Sequence, residues 1–279
     1  MGSYSELAAY EFFSPKVSIL PCETFETLFD AVQSGKADFG MAPVENSLAG
    51  SIHPVWNLLG SRGLPIAGEI SMRIVHCLLG HPGARLRDIR RVFSHPQALA
   101  QCREFLSGLA GVKQEEVYDT AGAVKIIRKR GRKAEAAIAS AQAAVDYDME
   151  VLAESIQTHN ENFTRFLVLS HQPRHFEEEP LKTTLVLTLE DGARNLPAVL
   201  GSLARRNVDL LRIDSHKRVG YPYEYLYYLE FRGSPADPEQ EAALQEIARQ
   251  VATLNLIGSY PPGRSCEARP HQRRQDSAS

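Results

Sequence analysis

The sequence has few cysteines, and they lack the spacing of a metal site. None of the four, Cys22, Cys77, Cys102 and Cys266, forms a C-x-x-C pair, so neither a zinc knuckle nor a disulfide framework is predicted. A reducing compartment is the simpler interpretation. His76 lies beside Cys77 in an apolar run. We assign it to the core, because no second histidine, cysteine or carboxylate pair has ligand spacing.

Long apolar runs and an excess of charge are lacking as well. No window reaches the ~20 apolar residues of a membrane helix, and the N-terminus has no basic region followed by an apolar stretch. The protein is therefore expected to be cytoplasmic. With 31 basic and 34 acidic residues, neither nucleic acid nor a membrane is an expected partner. The basic run 128–133 ends a helical pattern and is interpreted as a solvated turn.

The chain is long enough for two domains, with 279 residues of which 43% are hydrophobic. Up to residue 170, strand-like apolar runs alternate with helical patterns, which predicts an α/β unit with mostly parallel strands. The strand-like runs are 39–44, 74–79, 92–93, 136–139 and 166–169. Ser3 and Glu6 have the spacing of a capping box, which predicts a helix over 4–13.

A polar, proline-flanked segment at 171–181 is predicted to be a linker. After it, residues 182–262 follow the order βαββαβ of a ferredoxin-like sandwich. The last residues, 263–279, hold almost nothing apolar and are predicted to be disordered. The expected domains are therefore 1–170 and 182–262.

Familiar motifs for nucleotides or serine hydrolysis are missing, but four polar motifs each follow a strand pattern or open a helix. They are Val44-Glu45-Asn46-Ser47, Ser94-His95-Pro96-Gln97, Asp119-Thr120-Ala121-Gly122 and Thr164-Arg165-Phe166. Ligands of open α/β sheets bind beyond the carboxyl ends of strands, and helix N-termini attract anions. Since the motifs offer hydroxyls, amides and one cation, they predict a site for a small carboxylate-bearing ligand.

Each motif also has a purely structural interpretation. Ser3, Ser94 and Thr120 could serve only as helix caps, and Asn46 could serve only to allow a tight turn. Gln101 stands four residues after Gln97, so the two could form a solvated helix face. Their joint occurrence at the ends of strands favours a binding site.

These residues resemble the prephenate dehydratase family, which makes phenylpyruvate from prephenate. The matching segments follow in the family's order up to Pro261. They are GSYSE at 2–6, APVENS at 42–47, GSIH at 50–53, SHPQALAQC at 94–102, DTAG at 119–122, AIAS at 137–140 and NFTRF at 162–166. The resemblance implies two α/β lobes around a cleft, like type II periplasmic binding proteins, followed by an ACT domain that binds phenylalanine. It also implies a homodimer or homotetramer that needs no metal or cofactor.

The resemblance carries residue roles with it. Thr164 is expected to be the catalytic residue, assisting departure of the substrate hydroxyl. Arg165 is expected to hold a carboxylate as a charged fork, and Phe166 to shape the pocket beside the ring. Other residues expected to bind substrate are Asn46, Ser94, Gln101, Thr120, Ser140, Ser3 and Ser5.

Two departures from the family pattern bear on activity and regulation. The family begins with a strand and a Gly-Pro-x-Gly turn, and this sequence starts at the last glycine of that turn, so one strand is expected to be missing. In the ACT region, Arg194-Asn195-Leu196 replaces Gly-Ala-Leu and Asp214-Ser215-His216-Lys217 replaces Glu-Ser-Arg-Pro. Asn195, Leu196, Asp214 and Ser215 are the expected effector residues. The arginine predicts weak or altered phenylalanine inhibition, unless Gly192 takes the place of the family's glycine through a shift in register. Arogenate dehydratase and a non-catalytic amino-acid sensor remain alternatives.

Overall fold

A computed structural model describes residues 2–177, 180–189 and 192–267. Its helices are α1 Tyr4–Phe12, α2 Phe25–Gln33, α3 His53–Arg62, α4 Pro96–Gln101, α5 Arg103–Ser107, α6 Thr120–Arg130, α7 Ala141–Tyr147, α8 Leu196–Ala204 and α9 Pro238–Ala248. Its strands are β1 Phe39–Asn46, β2 Gly50–Ser51, β3 Ile66–Arg73, β4 Cys77–Gly80, β5 Arg91–Ser94, β6 Lys113–Glu116, β7 Glu135–Ala139, β8 Glu150–Ala153, β9 Phe163–Ser170, β10 Lys182–Thr188, β11 Leu210–Lys217, β12 Tyr225–Arg232, β13 Thr253–Tyr260 and β14 Arg264–Glu267.

The chain divides into two compact units whose bounds differ from the expected domains. Unit 1 contains residues 2–21, Met72–Thr164 and 265–267, and unit 2 contains Cys22–Ser71 and Arg165–Arg264. Segment 22–71 therefore packs with the C-terminal part of the chain, although the sequence grouped it with the first 170 residues. The boundary inside β9 falls between Thr164 and Arg165, the first two residues of the predicted catalytic motif.

Unit 1 is built on a sheet with the strand order β6-β5-β7-β4-β8. Strand β5 pairs in parallel with β6 and β7, whereas β4 pairs antiparallel with β7 and β8. In this sheet the expectation of mostly parallel strands is thus met around β5 and not around β4. All five residues of β7 are buried, as expected for a strand covered on both faces.

Helices cover both faces of this sheet. Because side chains alternate along a strand, Ile138 packs with α4 and α5, while its neighbour Ala137 packs with α6 and α7. The first helix of the unit, α1, begins as predicted, because the Ser3 hydroxyl accepts the N–H of Glu6 at 3.3 Å. The Glu6 carboxylate accepts the N–H of Gly2, not that of Ser3, so the reciprocal bond of a capping box is shifted by one residue.

Strands of unit 2 belong to two sheets. One has β3, β9, β1 and β2 in that order, and the other has the order β11-β12-β10-β13. In the second sheet, β10 pairs antiparallel with β12 and β13, and β11 pairs antiparallel with β12. With α8 and α9 this is the predicted ferredoxin-like βαββαβ arrangement, and we call residues 182–260 the βαββαβ region.

A single hydrophobic core joins the two sheets of unit 2. Trp56 of α3 is fully buried against Tyr228 of β12, and the Tyr228 hydroxyl donates to the Trp56 carbonyl oxygen. The close approach requires glycine at position 60, where a Cβ would lie 2.4 Å from the Tyr228 oxygen. Burial of such aromatic residues fixes the βαββαβ region against α3.

Two further expectations concern the termini and membranes. Residues 264–267 form β14, which differs from the disorder predicted for 263–279; residues 268–279 lie outside the described part. No disulfide bond joins any of the four cysteines, all of which lie in the described ranges. In the ranges described, no helix has both the length and the apolar character needed to cross a membrane.

Candidate active site

Gln101, at the end of α4, is the best-anchored of the predicted substrate-binding residues in unit 1. Its side-chain oxygen Oε1 lies 2.8 Å from His76 Nε2 and accepts a hydrogen bond from Asn162 Nδ2 at 3.1 Å. The solvated helix face that the sequence allowed is therefore not observed. No hydrogen bond among the described residues uses the Gln101 amide nitrogen, so its two N–H groups are left for a bound molecule.

Ser94 ends β5 and is completely buried. Its hydroxyl donates to the carbonyl oxygen of Ile138 at 2.7 Å, and the cap of α4 is His95, whose Nδ1 accepts the N–H of Gln97. Capping by Ser94, the structural alternative, is therefore wrong. Since the hydroxyl proton is already used, Ser94 can meet a ligand only as an acceptor.

The N-termini of α1 and α7 adjoin within unit 1. Ser140 caps α7 by accepting the N–H of Ala143, and its hydroxyl donates to the carbonyl oxygen of Gly2 at 2.9 Å. A Cβ at Gly2 would come within 3.0 Å of Ala143, so this approach requires glycine. Ser3 and Ser5, both half-buried, belong to the same end of α1.

Thr120 is the first residue of α6 and is half-buried. The cap of this helix is Asp119, whose carboxylate accepts the N–H of Gly122. Thr120 therefore does not cap the helix, contrary to its structural interpretation.

Thr164, the predicted catalytic residue, is buried with 9% exposure in β9.

In unit 2, the Asn46 side chain stabilises a tight turn, as its structural interpretation predicted. Its side-chain oxygen accepts the N–H groups of Leu48 and Ala49 at 3.1 and 3.0 Å, which closes the loop from β1 to β2. This fixes the orientation of the amide, so its nitrogen is the donor side of Asn46. Phe166 is buried with 1% exposure in β9.

Arg165 is held by carboxylates of the protein itself. Its guanidinium donates two hydrogen bonds to Glu230, at 3.0 and 2.7 Å, and a third from Nε to Glu69 at 2.7 Å. Lys182 Nζ donates to the same Glu69 at 2.8 Å and lies 3.4 Å from Glu230. The fork expected to hold a substrate carboxylate is therefore bound to Glu230 in the structure, where Arg165 orders its surroundings.

Electrostatics explain why this cluster tolerates burial. Burial alone would raise the pKa of Glu69, but Arg165 and Lys182 outweigh it and lower that pKa. Burial opposes the charge of Arg165, and Glu230 and Glu69 outweigh that burial, so its pKa is raised. Two cations and two carboxylates thus compensate one another, which is the condition for keeping charges out of water.

The predicted effector residues Asp214 and Ser215 lie on β11, an edge strand. The Asp214 carboxylate accepts hydrogen bonds from Ser51 at 2.6 Å and from Arg212 at 2.8 Å, and it lies 3.2 Å from His216 Nε2. The N–H of Ser215 donates to it at 2.9 Å. Asp214 therefore interacts with neighbouring residues on its own strand and with Ser51 of β2. In the other effector segment, Asn195 Nδ2 donates to the carbonyl oxygen of Gln250 at 3.4 Å, and Leu196 opens α8.

Two buried histidines predict loss of stability in mild acid. Burial lowers the pKa of His76, and burial together with His53 lowers that of His216 against the opposing effect of Asp214. The unfolded chain then takes up more protons below about pH 6.5, so the free energy of unfolding falls as the pH falls, by at most ~1.4 kcal/mol per pH unit for each histidine. Denaturant titrations between pH 7.5 and 5.5 measure this slope. His216→Gln should flatten it, and an unchanged slope would contradict the assignment.

Sequence comparisons agree on one family. The family described as prephenate dehydratase matches residues 1–174. Arogenate dehydratase 2 of Petunia hybrida is 41% identical, over 93% of this chain and 69% of that protein. Arogenate dehydratase/prephenate dehydratase 2, a chloroplastic protein of Arabidopsis thaliana, is 40% identical, over 93% of this chain and 70% of its own length.

Solved structures with the same fold cover 94% of this chain. A prephenate dehydratase from Arthrobacter aurescens in complex with L-Phe is 28% identical, with a TM-score of 0.85 over 87% of that chain. A protein called GqqA, described as a novel type of quorum quenching acylase, is 36% identical, with a TM-score of 0.83 over 95% of that chain.

Fold and matches together define an enzyme, a lyase of the dehydratase class that acts in aromatic amino acid biosynthesis. The chain belongs to the prephenate dehydratase family.

Proposed function

We propose that this enzyme converts prephenate to phenylpyruvate, in the cytoplasm and without a metal or cofactor. The match over residues 1–174 carries this proposal, because it contains every predicted catalytic segment up to Thr164-Arg165-Phe166. Prephenate loses its ring carboxylate as carbon dioxide. The electron pair of the broken bond enters the ring as the C–O bond to the ring hydroxyl breaks, and the departing hydroxide takes up one proton from solvent to become water. Aromatisation drives the reaction, so the protein has to position the substrate and help the hydroxyl to leave.

Thr164 is proposed as the donor to the departing oxygen. A buried hydroxyl is a weak acid, but a directed hydrogen bond to a leaving group that gains negative charge is stronger in the transition state than in the ground state. The Gln101 amide N–H groups and the Asn46 amide nitrogen are proposed as donors to substrate oxygens. Ser94 is proposed as an acceptor, and Ser3, Ser5, Thr120 and Ser140 as supporting residues at helix N-termini.

Arogenate is the second candidate substrate, since two similar relatives carry that name. It differs from prephenate by an amino group in place of the keto oxygen. Steady-state kinetics on both compounds would decide, by comparing kcat/KM for formation of phenylpyruvate and of phenylalanine. An amide-hydrolysis assay on an N-acyl substrate tests the activity in the description of GqqA. Turnover of neither prephenate nor arogenate would overturn the proposal and favour the amino-acid sensor.

We also propose that the βαββαβ region is an ACT domain and that the enzyme works as a homodimer or homotetramer. A structural relative is complexed with L-Phe. Here Arg194 is exposed where the family has glycine, and Asp214 is already bound by Ser51 and Arg212. Phenylalanine at the concentration of prephenate is therefore expected to inhibit little. Inhibition assays together with calorimetry check this, and tight binding would contradict it.

A further inference from the structure

The ring of His76 is fixed in unit 1 from several sides. Its backbone N–H donates to Gln157 Oε1 at 2.9 Å, and its carbonyl oxygen accepts the N–H of Ile156 at 3.0 Å. Tyr4 of α1 packs edge-on against the imidazole, with the ring centroids 6.1 Å apart. His76 itself is 3% exposed. The ring is therefore held in place, and Nε2 points at the Gln101 side-chain oxygen.

Hydrogen-bond accounting decides which ring nitrogen of His76 carries the proton. Burial lowers its pKa, so the ring is neutral at neutral pH and has a single N–H. Nδ1 is buried and has no hydrogen-bond partner among the described residues. A proton on Nδ1 would be a buried N–H without a hydrogen bond, which costs more free energy than a buried lone pair without one. The proton therefore lies on Nε2. His76 is therefore a donor to Gln101.

Two donors then converge on one oxygen of Gln101. Oε1 accepts hydrogen bonds from His76 Nε2 and from Asn162 Nδ2. The flipped amide of Gln101 is excluded, because its NH2 group would then face the N–H groups of His76 and Asn162. The amide nitrogen is directed away from both. Gln101 consequently presents a fixed pair of donors, which suits a carboxylate or another oxygen of an anionic substrate.

We propose that His76 is a positioning residue for substrate binding, acting through Gln101. The proposal rests on the proposed function only for the identity of the substrate. His76 does not touch the substrate; it holds the Gln101 amide in the orientation that binds it. Without the His76 donor, the Gln101 amide is free to rotate. Substrate binding then has to order this amide, and the entropy lost in doing so weakens binding.

Kinetics of matched variants test this role. His76→Leu removes the donor, and His76→Gln retains an N–H near the position of Nε2. We expect His76→Leu to raise KM about tenfold, the loss of roughly one hydrogen bond, with kcat changed less than about twofold, and His76→Gln to restore most of the affinity. His81→Leu is the control, because His81 Nε2 in the same unit also lies 2.9 Å from an oxygen, the Ile127 carbonyl.

A double-mutant cycle separates positioning from general damage. In the Gln101→Ala background, His76→Leu should add less than about twofold to KM, because its effect passes through Gln101. Multiplicative effects, or a KM that is unchanged in His76→Leu, would overturn the proposal. Thermal unfolding shows whether each variant is folded. If His76→Leu does not fold, the KM of His76→Gln alone decides whether His76 positions Gln101.

The free protein supplies a test that needs no substrate. Nitrogen NMR of labelled histidine reports the His76 tautomer directly. Protonation at Nε2 supports the proposal, and protonation at Nδ1 overturns it even if the enzyme turns over prephenate. Absence of turnover with the Nε2 tautomer present would instead count against the proposed reaction.

Discussion

Removing the Thr164 hydroxyl is expected to lower kcat by about 100- to 1000-fold, the cost typical of one lost donor to a developing negative charge. KM should change little, because the proposed hydrogen bond strengthens only as the ring hydroxyl leaves. Thr164→Val is the sharpest variant, since valine keeps the branched shape of a side chain that is only 9% exposed in β9. Steady-state kinetics on prephenate measure both constants.

Two further variants control this experiment. Thr164→Ser keeps a hydroxyl and should retain most of the turnover, whereas Thr164→Ala should behave like Thr164→Val. A Thr164→Val enzyme with parental kcat would contradict the catalytic role. A rise in KM with kcat unchanged would make Thr164 a binding residue only.

Local patterns were sufficient to predict the elements of the βαββαβ region. The strand patterns of β10 to β13 and the helical spacing of α8 and α9 are properties of short segments, and the βαββαβ order followed from them. The Ser3 cap of α1 also depends on neighbours three residues apart. Ser94 shows the limit of such reasoning: a strand-end serine before His-Pro has the local pattern of a cap, yet its hydroxyl bonds Ile138 on β7.

Partners distant in sequence could not be predicted. His76 was correctly assigned to the interior, but its contact with Gln101 spans 25 residues and that of Asn162 with Gln101 spans 61. The residues next to His76 and Asn162 in the sequence do not indicate that either side chain contacts Gln101. Gln101 was found through the family resemblance, and the two residues that orient it were not.

Arg165 shows the same limit for charge. Its sequence position beside Thr164 favours a substrate anchor, because it is the one cation in the four polar motifs. Glu69 and Glu230 come from positions 96 and 65 residues away. Only the fold reveals that the guanidinium is neutralised within the protein.

Neutralising Glu230 is expected to lower the free energy of unfolding by about 3–5 kcal/mol, the usual cost of removing one member of a buried ion pair. Glu230 is 2% exposed, and Glu230→Gln would leave Glu69 as the carboxylate that Arg165 and Lys182 share, with Glu45 3.8 Å from Arg165. Denaturant titrations measure the change. Asp209→Asn is the matched control, since its pair with Arg232 is 58% exposed on both sides and should contribute about 0–1 kcal/mol.

Charge balance, rather than any single contact, should govern the size of this loss. Adding Lys182→Met to Glu230→Gln removes one cation with the missing anion, so the double variant should be more stable than Glu230→Gln alone. Losses that simply add, or a Glu230→Gln loss no larger than that of Asp209→Asn, would contradict the buried network. Because Arg165 adjoins Thr164, the proposed catalytic residue, variants that fold should also show reduced kcat.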